Sequence, residues 1–513
     1  MIWLLSAAFA GPCETLVEEL DQALETPGRC GTRAMFGLQR EASSLGVQAC
    51  FEQHLRQRNL PVAGPKPPPI AWGNDGDLGN RDIYGYSRSY ETEHFVIWWE
   101  DYEGFNDNDV EALGVGFENV WAWEVEQMGY TPPSSTTNYR FNVYIGDTGG
   151  PLSAGGNGGW YNTDDDGYPM IVMNNDIGDH ENSAHTAGHE FFHALQDEAG
   201  TYQYYGQGAW YWEATAMWAE SEVSPESSAY SVFYPGWAML PALPVNFFRY
   251  ADGTLEGYHQ YGASILPRHL TENVTDRDII RRSWEEAPYE GDPMEVLNEL
   301  LAEEAGTSIE SEYTEMAGRT ATFDFIHGDA MYEVLDWWEE SDFHSKRISG
   351  SLELGDDEVR PDADQELHTY GAGFWELDDF ADGTFVRIEG DNGPNWHAVI
   401  AAREGSTHTR IPLEFDGNQG SLEITGIEEA DEAWLVVTAI DAFEDGGQTW
   451  SYSVSVGDDS DNGGGDDTAD TDEEPPLACG CVTPGIAGSW IGLPLVGLLV
   501  RRRQRSQRAA SAA

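Results

Sequence analysis

His189 and His193 stand four residues apart and flank Glu190 in the run His189-Glu190-Phe191-Phe192-His193. On a helix, residues at that spacing share a face, so both imidazoles can reach one metal ion. Glu190 lies one step round, close enough to take a proton from a water beside that metal. Imidazole with carboxylate suits zinc, which needs one more protein ligand and an open position to do hydrolytic chemistry. Glu213, within Trp212-Glu213-Ala214-Thr215-Ala216, is the expected third ligand, its small neighbours letting a second helix approach the first. Glu220, seven positions on, lies on nearly the same face and is expected to accept the second N–H of a ligand histidine. His185 is read as a helix-start or cleft-lining residue. Hydrolysis through a metal-activated water also needs a donor for the developing oxyanion. Tyr202, Tyr204, Tyr205, Tyr258, His259 and Tyr261 are candidates, with His259 and Tyr261 the first choices to join Glu190 as catalytic groups.

The elements that must carry these residues are legible in the pattern. Residues 94–99 and 139–145 alternate as strands, and residues 110–128 put Leu113, Phe117, Val120, Trp121 and Val125 on one helical face. A Gly-rich loop at 149–159 leads to a third strand at 170–173, which offers an edge for an extended substrate. The metal helix follows, then a second helix from about residue 210. Beyond it, residues 258–271, 276–286, 293–305 and 330–338 fit helices joined by Gly and Pro turns. From residue 370 to 456 short alternating runs separated by turn residues predict an all-β sandwich, serving as spacer or substrate binder. Residues 13–60 read as helical, and 65–69 as a Pro-rich linker. The stretch 73–80, rich in Gly, Asn and Asp, reads as a turn, with a Ca²⁺ loop as the second reading.

With 513 residues and a formal net charge of −65, the chain is large enough for two or three domains and too acidic to bind nucleic acid. Residues 1–10 are apolar and end in Ala8-Phe9-Ala10, the pattern of an export signal. Cysteines fall at 13, 30, 50, 479 and 481. Outside the cell two of the first three should pair, Cys30 with Cys50 being preferred. None adjoins the His-Glu-x-x-His run in sequence, so a metal site without sulfur is expected. Residues 458–477 form an acidic linker, and an apolar run at 482–500 precedes Arg501-Arg502-Arg503, as a membrane span would.

Residues 90–345 resemble the gluzincin-type zinc metallopeptidases. His-Glu-Phe-Phe-His-Ala-Leu-Gln at 189–196 and Trp-Glu-Ala-Thr-Ala-Met-Trp-Ala-Glu at 212–220 are similar to a family of secreted metallopeptidases described mainly from myxobacteria. The resemblance implies His189, His193 and Glu213 as zinc ligands and Glu190 as general base. Met217 departs from thermolysin-like enzymes, which carry an acidic residue there. The tail, with Cys479-Gly480-Cys481, the apolar run and the arginines, resembles the myxobacterial C-terminal sorting signal. It implies membrane attachment before processing by a sorting peptidase.

The expected fold class is α+β. A zincin-like domain at 66–349, with an α/β N-lobe and a helical C-lobe, would follow an N-terminal helical region or pro-segment at 11–65. It would precede a β-sandwich at 350–457, the linker and a tail at 478–513. The expected function is that of an exported or cell-surface zinc endopeptidase acting on protein or peptide. The alternatives are a surface binding or adhesion protein that keeps the metal fold with little hydrolysis, and a zinc hydrolase for a non-peptide bond.

Overall fold

The computed structural model describes residues 11–458, apart from 26–29, 59, 65–77, 103–105, 157, 177–179, 226–232, 250–253, 340–347, 379–382, 428 and 442–447. The export signal, the acidic linker, the apolar run and the sorting tail therefore lie outside the described residues, as does most of the 73–80 stretch. The described residues all fall within one compact unit. Among the described residues no helix is long and apolar enough to cross a membrane. The fold class is α+β.

Three short helices open the described chain: α1 (Pro12–Glu25), α2 (Leu38–Ser44) and α3 (Gln48–Gln57). Leu16, Leu20, Ala23, Ala34, Leu38, Ala42, Phe51 and Leu55 close around one another as a small core of their own. A disulfide ties Cys13 on α1 to Cys50 on α3. The pairing of Cys30 with Cys50 is thus overturned: Cys30 is a free thiol, buried. The helical repeat of Leu16 and Leu20 turns Cys13 towards this core, whereas Cys30 lies beyond α1, facing the rest of the protein.

A five-stranded sheet follows, built from β1 (Arg88–Glu91), β2 (Phe95–Trp99), β3 (Phe141–Ile145), β4 (Gly159–Thr163) and β5 (Pro169–Met173), in the order β1-β2-β3-β5-β4. β2, β3 and β5 run parallel, and they are buried on both faces, which explains their near-continuous apolar sequence. Phe141, Val143, Ile145, Ile171 and Met173 point into the main core. Tyr144, Met170 and Val172 point the other way, where Trp160 and Met35 meet them. β5 is therefore an interior strand, not the edge expected at 170–173. The edge is β4, which pairs antiparallel with β5 and emerges from what the sequence reads as a Gly-rich loop.

The main core on the first face is closed by α4 (Asp107–Trp121) and α5 (His180–Ala199). α4 starts at a reciprocal cap, in which the Asn106 side chain accepts from Asn108 N at 2.9 Å and Asp109 accepts from Asn106 N at 2.8 Å. α6 (Ala209–Val223) lies against α5 and is buried from Ala209 to Ser221, so it forms the centre of the molecule. The rest of the helical region is α7 (Pro235–Ala238), α8 (His259–Gly262), α9 (Ile265–His269), α10 (Asp278–Glu285), α11 (Pro293–Glu304), α12 (Ile309–Ala321) and α13 (Gly328–Glu339). The single helix expected at 258–271 is broken into pieces around α8 and α9, where Gly262 packs its backbone against Trp237.

The C-terminal strands are β6 (Gly350–Leu352), β7 (Leu367–His368), β8 (Gly371–Leu377), β9 (Thr384–Gly390), β10 (Asn395–Glu404), β11 (Thr407–Pro412), β12 (Glu414–Asp416), β13 (Gln419–Glu423), β14 (Glu432–Ile440), β15 (Thr449–Trp450) and β16 (Tyr452–Asp458). They form sheets ordered β11-β10-β14-β8-β6 and β12-β13-β9-β16, with a β15-β7 pair. Alternation along β10 and β14 divides them between two cores. Ile400, Ala402, Leu435 and Val437 meet Val386, Ile388 and Val454 of the second sheet. Val399, Ala401, Trp434 and Val436 belong instead to the main core, where α12 packs on β10 and β14. Arg410 fixes that contact through Glu315 at 2.7 Å and Asp324 at 2.7 Å.

Candidate metal centre

α5 and α6 bring the sequence-predicted donors together. His189 and His193 project from one face of α5, and Glu213 from the second turn of α6 faces them. His189 Nε2 lies 3.1 Å from Glu213 Oε2, and His193 Nε2 lies 3.9 Å from the same oxygen. All three side chains are buried, as is Glu190.

The far sides of His193 and Glu213 are held by hydrogen bonds, and that of His189 faces a carboxylate. The Gln196 amide NH₂ donates to Trp212 O at 2.9 Å and to Thr215 Oγ1 at 2.9 Å. Its carbonyl oxygen is then left to face His193 Nδ1 at 2.7 Å, so Nδ1 carries the proton and the Nε2 lone pair points at the cluster. His189 Nδ1 lies 3.6 Å from Glu220 Oε2, so Glu220 stands on the side of His189 away from Glu213. Glu220 Oε1 is also 3.5 Å from His185 Nδ1, so His185 stands behind the site rather than lining a cleft. The Tyr204 hydroxyl donates to Glu213 Oε1. That use commits Tyr204 to holding a ligand and removes it from the oxyanion candidates.

A fourth donor enters from the N-terminal helices. Cys30 Sγ lies 3.6 Å from His193 Nε2 and 3.7 Å from Glu190 Oε2. One ligand atom each from Cys30, His189, His193 and Glu213 all fall within 4.8 Å of one another. The premise that no cysteine lies near the His-Glu-x-x-His residues is therefore overturned. Separation along the chain says nothing about a segment that folds back across the sheet. Thr32 accompanies Cys30: its hydroxyl donates to Glu190 Oε2 at 2.9 Å and accepts from Tyr161 N on β4 at 2.8 Å. Gly159 makes this approach possible, since a Cβ there would lie 3.0 Å from Glu190 Cγ.

The two favoured oxyanion residues separate. Tyr261 is buried beside Cys30 and Met217, with its ring 6.1 Å from that of His189. His259 instead packs its ring edge-on against Phe247 at 5.4 Å, and among the described contacts none joins it to the cluster. Burial pushes the His259 imidazole down to about 3, which keeps it neutral. Of the remaining candidates, Tyr202 donates to Ser283 O at 2.8 Å, inside the helical core.

Electrostatics favour a cation here. Burial pushes the Glu190 carboxyl up to about 7. Burial also opposes charge on His189, but the Glu213 and Glu220 carboxylates outweigh it and hold that imidazole up to about 9. Burial and the neighbouring His189 push His193 well down, so it is a neutral donor. The Cys30 thiol is pushed up by burial and then by Glu190 and Glu213. Three carboxyl groups, Glu190, Glu213 and Glu220, thus share a pocket from which solvent is excluded, and Glu190 Oε1 has no hydrogen-bond partner among the described residues. Two imidazoles, a carboxylate and a thiol are the donor types that hold zinc, and they fit that ion better than Ca²⁺ or Mg²⁺.

Cys30, Thr32 and Gln196 were not singled out by sequence reasoning. Gln196 had a signal, its position three residues after His193 on the same helix face. Cys30 and Thr32, about 160 positions before the motif, had none. In comparisons with known proteins, no curated protein matches the chain. The profile of a family of unknown function, DUF6055, matches residues 68–440, most of the chain. The match starts after the N-terminal helices and takes in β1–β5, the metal-site helices and most of the C-terminal strands, so the chain belongs to the DUF6055 family.

Proposed function

We propose that the protein is a zinc-dependent peptidase in which His189, His193 and Glu213 hold the metal and Glu190 is the general base. One observation carries the reading: two imidazole Nε2 atoms and a carboxylate oxygen converge, with Gln196 bonded behind His193, Tyr204 bonded behind Glu213 and the Glu220 carboxylate facing the far side of His189. A bound zinc ion would supply Lewis acidity at the bond being hydrolysed and would acidify water. Glu190 takes the proton of the attacking water and passes it to the leaving amine. Its carboxyl, with Oε1 unpaired among the described residues, is placed to serve both halves of that transfer. Of the two first choices, Tyr261, beside His189, is the one placed to donate to the oxyanion.

The finer fold reading belongs with this proposal. The five-stranded sheet and α5 would form the N-lobe of a gluzincin-type, zincin-like domain, with α6 and the later helices as its C-lobe. The strands after residue 350 would form a β-sandwich, a reading supported by the core that β10 and β14 share with β9 and β16. An exported or surface location is supported by the Cys13–Cys50 disulfide, a bond that persists in oxidising compartments.

A second reading is favoured by Cys30. Four protein donors make a closed site, the arrangement of structural zinc, and a surface binding or adhesion protein could keep its metal for stability alone. Two variants separate the readings. His189→Ala should lose about one bound zinc per chain. Glu190→Gln should keep the zinc and abolish hydrolysis of an unfolded protein substrate. Hydrolysis that persists in Glu190→Gln would defeat the peptidase reading.

A further inference from the structure

We propose that the N-terminal helices are an intramolecular inhibitor, with Cys30 as a removable fourth metal ligand and Gly31-Thr32 filling the substrate edge of the sheet. The inference rests on the peptidase reading and identifies what keeps that site closed.

Three independent features meet at residues 30–32. Cys30 Sγ is the fourth donor atom of the cluster, 3.6 Å from His193 Nε2. The backbone runs along the free edge of β4: Cys30 bridges Gly159 in parallel fashion, and Gly31 N donates to Gly159 O at 2.9 Å. That edge is where an extended peptide would pair, because β4 is bonded to β5 on its other side. Thr32 donates to Glu190 Oε2 at 2.9 Å, occupying an oxygen of the general base. One tripeptide therefore blocks metal, base and substrate edge together.

The segment that delivers it is built to act as a unit. Its helices have their own apolar core and their own disulfide. It docks on the body through Phe36, which packs against Tyr161 and Trp212, through Met35 beside Tyr144 and Trp160, and through a set of polar ties. Buried Arg33 donates to Tyr204 O at 2.9 Å while pairing with Glu19 at 3.0 Å and Glu41 at 2.6 Å on its own side. Arg40 pairs with Asp197 at 3.2 Å, and Asn162 Nδ2 donates to Met35 O at 2.7 Å.

The test uses the full chain loaded with Co²⁺ for spectroscopy and Zn²⁺ for activity, as wild type, Cys30→Ala, and Cys30→Ala with Arg33→Ala. The wild type should show a thiolate-to-cobalt charge-transfer band and hydrolyse unfolded casein slowly. Cys30→Ala should lose that band, keep its metal and hydrolyse faster. The double variant, with its tie to Tyr204 also gone, should exceed the wild type by roughly tenfold or more, the factor hidden when a closed form outweighs the open one by that ratio. Adding Glu190→Gln to the double variant should return the rate to background. A wild type without the charge-transfer band overturns the proposal. So does a wild type that is already as active as the double variant in a Glu190-dependent way, although the peptidase reading then stands. Metal-loaded variants that never hydrolyse overturn both and leave a closed structural site.

Discussion

Replacing Gln196 by leucine removes the group that decides which nitrogen of His193 faces the metal. Gln196 is wholly buried, and its side chain makes three contacts, to His193 Nδ1 at 2.7 Å, Trp212 O at 2.9 Å and Thr215 Oγ1 at 2.9 Å. Leucine is close in volume, so the loss is one of polar partners, not of packing. Thr215 still donates to Tyr211 O at 2.6 Å and accepts from Trp284 Nε1 at 3.2 Å, so it is not orphaned. The His193 N–H is, whereas the Trp212 carbonyl keeps its place in the α6 ladder. A buried orphan costs about 1–3 kcal/mol, so the metal-free protein should lose about that much in urea unfolding. Freed from Gln196, the His193 ring can place its proton on either nitrogen, and zinc affinity should fall about 10- to 100-fold, or about 1.4–2.7 kcal/mol. Competition with a chromophoric chelator measures that fall. Gln196→Glu sharpens the comparison. It keeps an acceptor for His193 but cannot donate to Trp212 O, so it should cost stability while sparing metal affinity. If Gln196→Leu binds zinc as tightly as the wild type, the assignment of His193 Nε2 as a ligand is refuted.

Three further outcomes follow from other parts of the site. Gly159→Ala would crowd Glu190 Cγ and Thr186 Cγ2, at 3.0 and 3.1 Å from the added methyl. In the Cys30→Ala background it should slow hydrolysis and leave bound metal unchanged, as read by turnover and metal analysis. Glu124 is wholly buried behind the metal helix, and burial raises its carboxyl well above 4.5. Its folded value exceeds its unfolded one, so its share of stability is full below the unfolded value and is lost as pH rises towards the folded one. Glu124→Gln should remove that decline, up to about 1.4 kcal/mol per pH unit, in urea unfolding of the metal-free protein across pH. The Cys13→Ala, Cys50→Ala variant opens a loop spanning 37 positions and should weaken the N-terminal helices by about 4 kcal/mol. Iodoacetamide should then label Cys30, which is 2 % exposed in the intact protein.

The part of the site carried by short-range pattern was legible in the sequence. Helical spacing puts His189, Glu190 and His193 on one face, and the composition around Glu213 marks a closely packed second helix. Glu220 was legible for the same reason, being two turns along from Glu213. Legibility stopped where contacts depend on how the sheet is ordered. β5 reads as an edge because it is short and apolar, yet β4 crosses beyond it, and Gly159 and Thr163 conceal a strand among loop-like residues. Cys30 could not be assigned from spacing, because its position is set by the pairing of residues 30–31 with β4. Tyr204 and His259 illustrate a different limit. Both are of types that can stabilise an oxyanion, but one is bound to Glu213 and the other is turned towards Phe247.

The odd thiol among the first three cysteines also bears on how the chain matures. Three cysteines permit three pairings, and only Cys13–Cys50 is compatible with Thr32 resting on Glu190 and Gly31 on β4. A disulfide through Cys30 would drag residues 30–32 out of the sheet edge and trap the helices in a wrong arrangement. Thiol–disulfide exchange needs an accessible thiolate, and the seat between His193 and Glu190 denies access to any oxidant. The pocket between His193 and Glu190 thereby works as a protecting group for the thiol. A chain oxidised before Cys30 is seated would accumulate as scrambled isomers, a defect visible on a non-reducing gel before any assay of turnover.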